Sequence, residues 1–262
     1  MSIIEAGGGK VDIIQEGKGK DLILLPTLLA DRSVYDEVAP YLAKFRLVTR
    51  IDFPGFGGST SVGPRVEDYA TMVVDTLNAI EISPQSDLLG NGFGGFVAVT
   101  LVIHNPARID RLVLVDTGAG FPEPAKEPLR IMAKKVREGG MESVLDVAVK
   151  RMFPAPFIDQ RPDIIENRKR RLATANPEIF AMAAESLTVL DNRAALAQIK
   201  NPTLIVVGLE DMTTPPDLSH ELAAGIANAE LVELPGIGHC PQLQDPDAFL
   251  NAICPFLKIP LP

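Results

Sequence analysis

The run Leu88-Leu89-Gly90-Asn91-Gly92-Phe93-Gly94-Gly95-Phe96 has the clearest chemical implication in the chain. An apolar segment at 87–89 precedes its glycines, and an apolar segment with helical spacing follows them. A strand, a tight glycine turn and a helix in this order present a nucleophilic serine in G-x-S-x-G sequences. The central position here is Gly92, which tolerates the strained backbone of such a turn but has no hydroxyl. The turn is therefore predicted without its usual nucleophile.

The composition restricts the partners that the protein can have. Lys and Arg total 25 against 34 Asp and Glu, a formal net charge of −9. Nucleic acid or an anionic membrane would require a basic surface, so we expect neither as a partner. No apolar run approaches the roughly 18 residues of a membrane span. The first seven residues lack the basic and apolar regions of a signal peptide, and the two cysteines, Cys240 and Cys254, lack metal-ligand spacing. We therefore expect a reduced, cytoplasmic protein.

Apolar runs alternate with helical patterns at both ends of the chain. Strands are predicted at 10–15, 21–25, 46–53, 87–89, 112–115, 203–207 and 230–234, and helices at 33–42, 66–80, 93–104, 216–226 and 246–256. Alternation of this kind predicts an α/β fold with a mostly parallel sheet covered by helices on both faces. Between about 120 and 200 the patterns are helical only, at 128–138, 141–152, 162–174 and 177–190. We predict a core of residues 1–119 and 196–262 with an inserted helical lid at 120–195.

Five motifs together resemble the α/β-hydrolase fold family. In chain order they are Asp52-Phe53-Pro54-Gly55-Phe56-Gly57-Gly58-Ser59, Gly90-Asn91-Gly92-Phe93-Gly94-Gly95, Arg111-Leu112-Val113-Leu114-Val115-Asp116, Gly208-Leu209-Glu210-Asp211 and Gly238-His239-Cys240-Pro241. The resemblance covers nearly the whole chain. Asn91, at the second position of the glycine turn, resembles the turn of this family's carbon–carbon bond hydrolases. The run 177–208 is more similar to the family's enol-lactonases, and the sequence does not decide between these two groups.

The resemblance implies a catalytic acid at Asp211 and a histidine at His239, because the family's order is nucleophile, acid, histidine. Histidine can take and return a proton near neutral pH, and a carboxylate on its other nitrogen selects the tautomer and stabilises the imidazolium. The pair could also persist as a hydrogen-bonded relic without turnover. The other two histidines, His104 and His220, are predicted to be structural or solvated.

The resemblance also implies two backbone donors for negative charge that develops on a substrate oxygen. The first is the N–H of Phe93, which follows Gly92 and does not depend on any side chain. The second is the N–H of Leu28. The family's His-Gly turn is replaced here by Leu25-Pro26-Thr27-Leu28-Leu29, so the shape of this half of the oxyanion hole does not follow from the sequence.

Gly92 has three interpretations. It is a natural loss of serine with altered or absent chemistry, a deliberate serine-to-glycine substitution, or a space in which His239 activates water directly. An acyl-enzyme on residue 92 is excluded in all three. Direct attack by water is therefore the predicted hydrolytic route.

Two residues next to the motifs have both a chemical and a structural interpretation. Asp116 lies where some relatives place their acid, but capping of the chain after its strand is favoured. Cys240 is a conceivable thiol nucleophile, but a residue adjacent to His239 usually points away from the site, so packing is favoured.

Three further sets of residues are weaker candidates. Thr27, Thr117 and Thr213 are minor candidates for a replacement hydroxyl. The run 168–171, Arg-Lys-Arg-Arg, is expected to be the solvated face of a lid helix rather than a contact for an anionic substrate. Phe53, Phe56 and Phe93 are expected to pack in the core rather than to line a pocket.

The sequence thus predicts an α/β-hydrolase-family enzyme for a small apolar carbonyl compound, such as an ester, lactone or vinylogous diketone. Proton transfer by His239 and Asp211 would proceed without a serine nucleophile. The alternatives are an inactive hydrolase-fold protein that binds a small ligand and a serine-to-glycine variant of an active serine hydrolase. No metal or organic cofactor is expected, and the oligomeric state is not predicted.

Overall fold

A computed structural model describes residues 2–262 and places an eight-stranded sheet at the centre of the molecule. Met1, which the predicted core 1–119 includes, lies outside the described residues. The strands are β1 (Ser2–Ala6), β2 (Gly9–Gly17), β3 (Lys20–Leu25), β4 (Arg46–Ile51), β5 (Ser86–Asn91), β6 (Ile109–Val115), β7 (Thr203–Gly208) and β8 (Ala229–Leu234). Their order is β1-β2-β4-β3-β5-β6-β7-β8. Only the pairs β1–β2 and β2–β4 are antiparallel within this sheet, so the predicted mostly parallel sheet is confirmed.

Helices cover both faces of the sheet. They are α1 (Ala39–Leu42), α2 (Val66–Ala79), α3 (Phe93–His104), α4 (Glu123–Gly139), α5 (Leu145–Met152), α6 (Ala155–Gln160), α7 (Pro162–Leu172), α8 (Pro177–Val189), α9 (Pro216–Gly225), α10 (Pro241–Gln244) and α11 (Pro246–Leu257). Every residue of β5 and β7 is buried. Because successive side chains of a strand point to opposite faces, burial along the whole strand means that both faces are covered. Across residues 2–262, no helix has the length and apolar character to cross a membrane.

Several element boundaries differ from the sequence prediction. The predicted helix at 33–42 is a 3₁₀ turn, Arg32–Tyr35, followed by the short α1. Pro40 explains the break, because proline has no N–H to donate and is tolerated only in a helix's first turn. The edge strand β1 has no apolar run, and it forms by antiparallel pairing with β2.

The helices α4 to α8 form one insertion between β6 and β7, here called the helical insertion. Gly120 and Asp191 form an isolated β-bridge, and the N–H of Asn192 donates to the carbonyl of Ala119 at 2.8 Å. The chain therefore leaves and re-enters the core at adjacent points.

Candidate active site

The candidate site forms where two parallel neighbours, β3 and β5, end at the same edge of the sheet. The loop after β3 contacts the turn after β5 through the N–H of Gly94, which donates to the carbonyl of Pro26 at 3.0 Å. A Cβ on Gly94 would lie 2.4 Å from the carbonyl oxygen of Leu25, so only glycine permits this approach. The contact places Thr27 and Leu28 beside Gly92.

Gly92 has φ 53° and ψ −117°, a backbone conformation that is strained for any residue with a Cβ. Its N–H donates to the carbonyl of Val115 at 2.9 Å. Its own carbonyl accepts from the hydroxyl of Thr117 at 2.8 Å, so this hydroxyl supports the turn. The glycine motif therefore forms the tight strand-to-helix turn expected from its sequence.

The structure places His239 and Asp211 side by side. His239 Nδ1 lies 2.8 Å from Asp211 Oδ2, and both side chains are fully buried. Asp211 follows β7, and its Oδ1 accepts from the N–H groups of Thr213 at 2.7 Å and Thr214 at 3.2 Å. A carboxylate at Nδ1 selects the tautomer in which Nδ1 carries the proton, which leaves Nε2 free to accept one.

Thr27 occupies the other side of the imidazole. Its Oγ1 lies 2.8 Å from His239 Nε2. A Cβ built on Gly92 would lie 2.5 Å from Thr27 Oγ1 and 2.6 Å from His239 Nε2. A side chain at residue 92 would therefore require Thr27 or His239 to move from its present position.

Thr214 and Asn91 position the pair and were not predicted to do so. Thr214 Oγ1 lies 2.6 Å from Asp211 Oδ2 and 3.2 Å from His239 Nδ1. Asn91 Nδ2 donates to the backbone carbonyl of His239 at 3.0 Å. Thr214 lies three residues after Asp211, but its contact with His239 spans 25 residues of the chain and has no local sequence signal.

The predicted oxyanion donors, Phe93 and Leu28, both border the same cavity as Gly92 and His239. Neither backbone N–H donates a hydrogen bond to any group in residues 2–262. Free N–H groups at the edge of a cavity are available to a substrate oxygen.

The cavity has a volume of about 220 Å³ and lies between the core and the helical insertion. Its wall is largely apolar, with Phe96, Phe121, Leu129, Met132, Val144 and Leu187 among the lining residues. Two cations from the insertion, Lys135 and Arg151, also line it. Arg151 is half-buried, and burial lowers the pKa of its guanidinium. No sequence pattern indicated that these two cations line a cavity.

Asp116 and Cys240 have the structural roles that were favoured from sequence. Asp116 Oδ1 accepts from the N–H of Gly208 at 2.7 Å, which links β6 to β7. Burial, and next the charge of Asp211, raise the pKa of Asp116 well above its usual range. Burial likewise raises the pKa of the Cys240 thiol, which lies 3.8 Å from Asn91 Oδ1 and is kept neutral.

The basic run 168–171 is not simply a solvated face. Arg168 is buried, and it donates to the Ser33 hydroxyl at 3.0 Å and lies 3.7 Å from Asp31. Arg171 also pairs with Asp31, at 2.8 Å. These contacts fasten α7 to the segment that follows Thr27, and neither arginine lines the cavity.

The remaining candidates lie mostly as expected. His104 is exposed, and His220 is exposed and 2.8 Å from Glu233. Phe53 and Phe56 are buried, whereas the buried Phe93 also borders the cavity. Within the described part of the chain, no group of three or more His, Cys, Asp or Glu residues could hold a metal ion.

Fold and site geometry together define a hydrolase-type α/β architecture, and the comparisons with known proteins agree. The sequence profile of the alpha/beta hydrolase family matches residues 22–252, so the chain belongs to that family. It is 30% identical to 3-oxoadipate enol-lactonase 2 of Acinetobacter baylyi over 239 residues, covering 90% of this chain and 88% of that protein. It is 29% identical to a 2-hydroxy-6-oxononadienedioate/2-hydroxy-6-oxononatrienedioate hydrolase of Cupriavidus pinatubonensis, covering 84% and 79%. The crystal structure of an enol-lactonase from Burkholderia xenovorans superposes with a TM-score of 0.93 at 26% identity, covering 98% of this chain and all of that one.

The chain is thus an α/β hydrolase related to enol-lactonases and carbon–carbon bond hydrolases.

Proposed function

We propose that the protein hydrolyses a small apolar carbonyl compound, an ester, lactone or vinylogous diketone, by proton transfer through His239 and Asp211. The observation that carries this proposal is the 2.8 Å contact between His239 Nδ1 and Asp211 Oδ2 at the inner wall of the cavity. Burial of the Asp211 carboxylate is offset by its pairing with His239, and this pairing at Nδ1 leaves Nε2 free to accept a proton.

In this reaction His239 Nε2 takes the proton of the attacking oxygen and returns it to the leaving group. Asp211 stabilises the imidazolium that forms between these two steps. The N–H groups of Phe93 and Leu28 would receive the negative charge on the carbonyl oxygen. Each of the four residues borders the cavity or contacts one that does.

The residues that line the cavity favour a largely apolar substrate with one acidic group. Apolar side chains form most of the lining, and Lys135 and Arg151 are the cations that it contains. One relative is named for 3-oxoadipate and another for a nonadienedioate, which are carboxylates. A guanidinium in a low-dielectric wall pairs well with such a group.

Residues 120–195 would act as the lid over a core of 1–119 and 196–262. Support comes from the adjacent entry and exit points at Gly120 and Asp191 and from the cavity residues that α4 and α5 contribute. A lid that excludes water strengthens every electrostatic contact inside the site.

The test is hydrolysis of 4-nitrophenyl butyrate by the wild type and by His239→Gln. We expect the variant to lose roughly 10³-fold or more in kcat/KM, because the proton acceptor is gone. His220→Gln, which changes an exposed histidine, is the matched control and should be unchanged.

Equal rates for the wild type and His239→Gln would refute the proposal. A wild type that turns over neither neutral nor anionic aryl esters, while such a compound raises its melting temperature, would instead establish the small-ligand-binding alternative.

A further inference from the structure

The hydroxyl of Thr27 is the one that His239 Nε2 contacts among the described residues, at 2.8 Å. We infer that Thr27 is the nucleophile, moved from the turn after β5 to the loop after β3; this rests on the proposed hydrolase function. Threonine forms covalent intermediates when a base lies within hydrogen-bond distance of its hydroxyl. The contact satisfies that requirement, with Asp211 on the far side of the ring.

The positions of Thr27 and Gly92 support the inference that Thr27 takes the nucleophile role of the residue at position 92. A Cβ at residue 92 would approach both Thr27 Oγ1 and His239 Nε2 closer than real Cβ contacts allow. A serine at 92 and the present Thr27–His239 hydrogen bond are therefore incompatible without movement. Loss of the side chain at 92 opens the space that the Thr27 hydroxyl fills.

The loop around Thr27 is held rigidly, as a nucleophile requires. The carbonyl of Pro26 accepts from Gly94, and the carbonyl of Thr27 accepts from the N–H of Ala30 at 3.3 Å. Asp31, four residues beyond Thr27, pairs with Arg171 of the helical insertion. Both the core and the insertion therefore position this loop.

The Thr213 hydroxyl also borders the cavity, but it is buried without a hydrogen-bond partner among the described residues and so makes no hydrogen bond to His239. The other nearby hydroxyl and thiol groups are engaged elsewhere. Thr117 donates to the carbonyl of Gly92, and Thr214 contacts the Nδ1 side of the ring. The Ser143 hydroxyl, which borders the cavity, donates to the backbone carbonyl of Gly140 at 2.7 Å. The thiol of Cys240 is directed to Asn91.

The two proposed oxyanion donors, the N–H groups of Leu28 and Phe93, border the same cavity as Thr27. Leu28 N–H belongs to the residue after Thr27, as Phe93 N–H belongs to the residue after Gly92. A carbonyl carbon attacked by Thr27 would therefore have its oxygen near two free N–H groups of the cavity wall.

The steps balance without a co-reactant other than water. His239 Nε2 takes the Thr27 proton as Oγ1 bonds to the acyl carbon, and the negative charge moves to the carbonyl oxygen. Collapse breaks the bond to the leaving oxygen, which receives the proton from the imidazolium and leaves as alcohol or enol. Water, deprotonated by His239, then attacks acyl-Thr27, the carboxylic acid departs, and the proton returns to Oγ1.

The experiment treats the full chain with 4-nitrophenyl ethylphosphonate, which leaves a stable phosphonyl group on a nucleophilic oxygen and releases 4-nitrophenol. We expect one equivalent of 4-nitrophenol and a phosphonyl group mapped to Thr27 by peptide mass spectrometry. Thr27→Val has the same shape without the hydroxyl. It should take no label and should lose roughly 10³-fold or more in butyrate hydrolysis, while Thr27→Ser keeps both. Thr71→Val, an exposed threonine, is the control and should match the wild type.

A label on any other residue, or no label on a wild type that hydrolyses the ester, would overturn the inference. Hydrolysis by Thr27→Val that stays within threefold of wild type and still requires His239 would overturn it too, and would leave the proposed function standing with water as nucleophile. Absence of all turnover in the wild type would reject both. Circular dichroism and the melting temperature identify a variant that is unfolded. If Thr27→Val is unfolded, labelling of Thr27→Ser at residue 27 still tests whether a hydroxyl at this position is the nucleophile.

Discussion

Gly92 lies beside the contact between Thr27 Oγ1 and His239 Nε2, on which the proposed chemistry depends. Its positive φ already favours glycine, and the space beside it is occupied by these two side chains. The residue is therefore constrained twice, by backbone conformation and by its neighbours.

Comparison of Gly92→Ala with a control glycine separates the effect of the positive φ from the effect of the neighbouring side chains. We expect a loss of roughly 1–3 kcal/mol in stability from the positive φ, and a fall in hydrolysis of about 10²-fold or more because the methyl group displaces the reacting atoms. Gly8→Ala is the control, since Gly8 also has a positive φ but nothing lies within 4 Å of its missing Cβ. Urea denaturation and ester hydrolysis measure the two effects. Wild-type activity in Gly92→Ala would show that the Thr27–His239 contact is dispensable.

At the scale of elements, the site is held by contacts between strand ends. β6 and β7 pair over Leu112–Val115 and Thr203–Val206, and beyond these residues Asp116 reaches across to the N–H of Gly208. Asp116 also accepts from the Thr214 hydroxyl through its backbone carbonyl, at 2.6 Å. Since Thr214 contacts Asp211, the packing of these strand ends determines where the Asp211 carboxylate lies.

Asp116→Asn tests this buried carboxyl through pH. The pKa of Asp116 is raised in the folded state, so folding retains a proton that the unfolded chain releases near pH 4. Stability from this group is complete below about pH 4 and is lost as pH rises toward the raised pKa. We expect the melting temperature of Asp116→Asn relative to wild type to increase from pH 4 to pH 8. Asp52, whose pKa burial raises to about 6, is present in both proteins and cancels in the difference.

The control is the exposed change Asp159→Asn, whose melting temperature relative to wild type is measured over the same pH range. A flat difference for Asp116→Asn would mean that Asp116 is ionised in the folded protein.

At the scale of the whole molecule, the core and the helical insertion build the cavity together. The core contributes Thr27, Leu28, Gly92, Phe93 and His239, and the insertion contributes most of the apolar wall with Lys135 and Arg151. The N–H of His239 also donates to the carbonyl of Met152 in α5 at 2.8 Å. The insertion thus helps to position the loop that contains His239.

Arg151→Gln tests which substrates this shared cavity selects. Hydrolysis of an anionic ester, 4-nitrophenyl hemisuccinate, should fall by roughly 10–100-fold, because one charge-assisted contact is lost. Hydrolysis of the neutral butyrate should change by less than about threefold. Lys150→Gln removes a neighbouring exposed charge that does not border the cavity, and it should leave both rates unchanged. Equal losses on both esters would exclude Arg151 as the contact for an acidic group.

The sequence by itself determined the architecture, because strand and helix periodicities and glycine turns are local properties of the chain. The alternation of apolar runs predicted the parallel sheet, and the glycines at 90, 92 and 94 predicted the turn that the structure contains. Asp211 and His239 were identified by the motifs around them.

Only the tertiary structure decided which oxygen meets the imidazole, because Thr27 and His239 are 212 residues apart and their contact depends on two loops converging over Gly92. The same holds for Arg151, whose place in the cavity wall follows from how the insertion packs on the core. The sequence named Thr27 only as one of three candidate hydroxyls and could not select among them, and no local pattern indicated the position of Arg151. Their roles arise from the packing of elements that are distant in the chain.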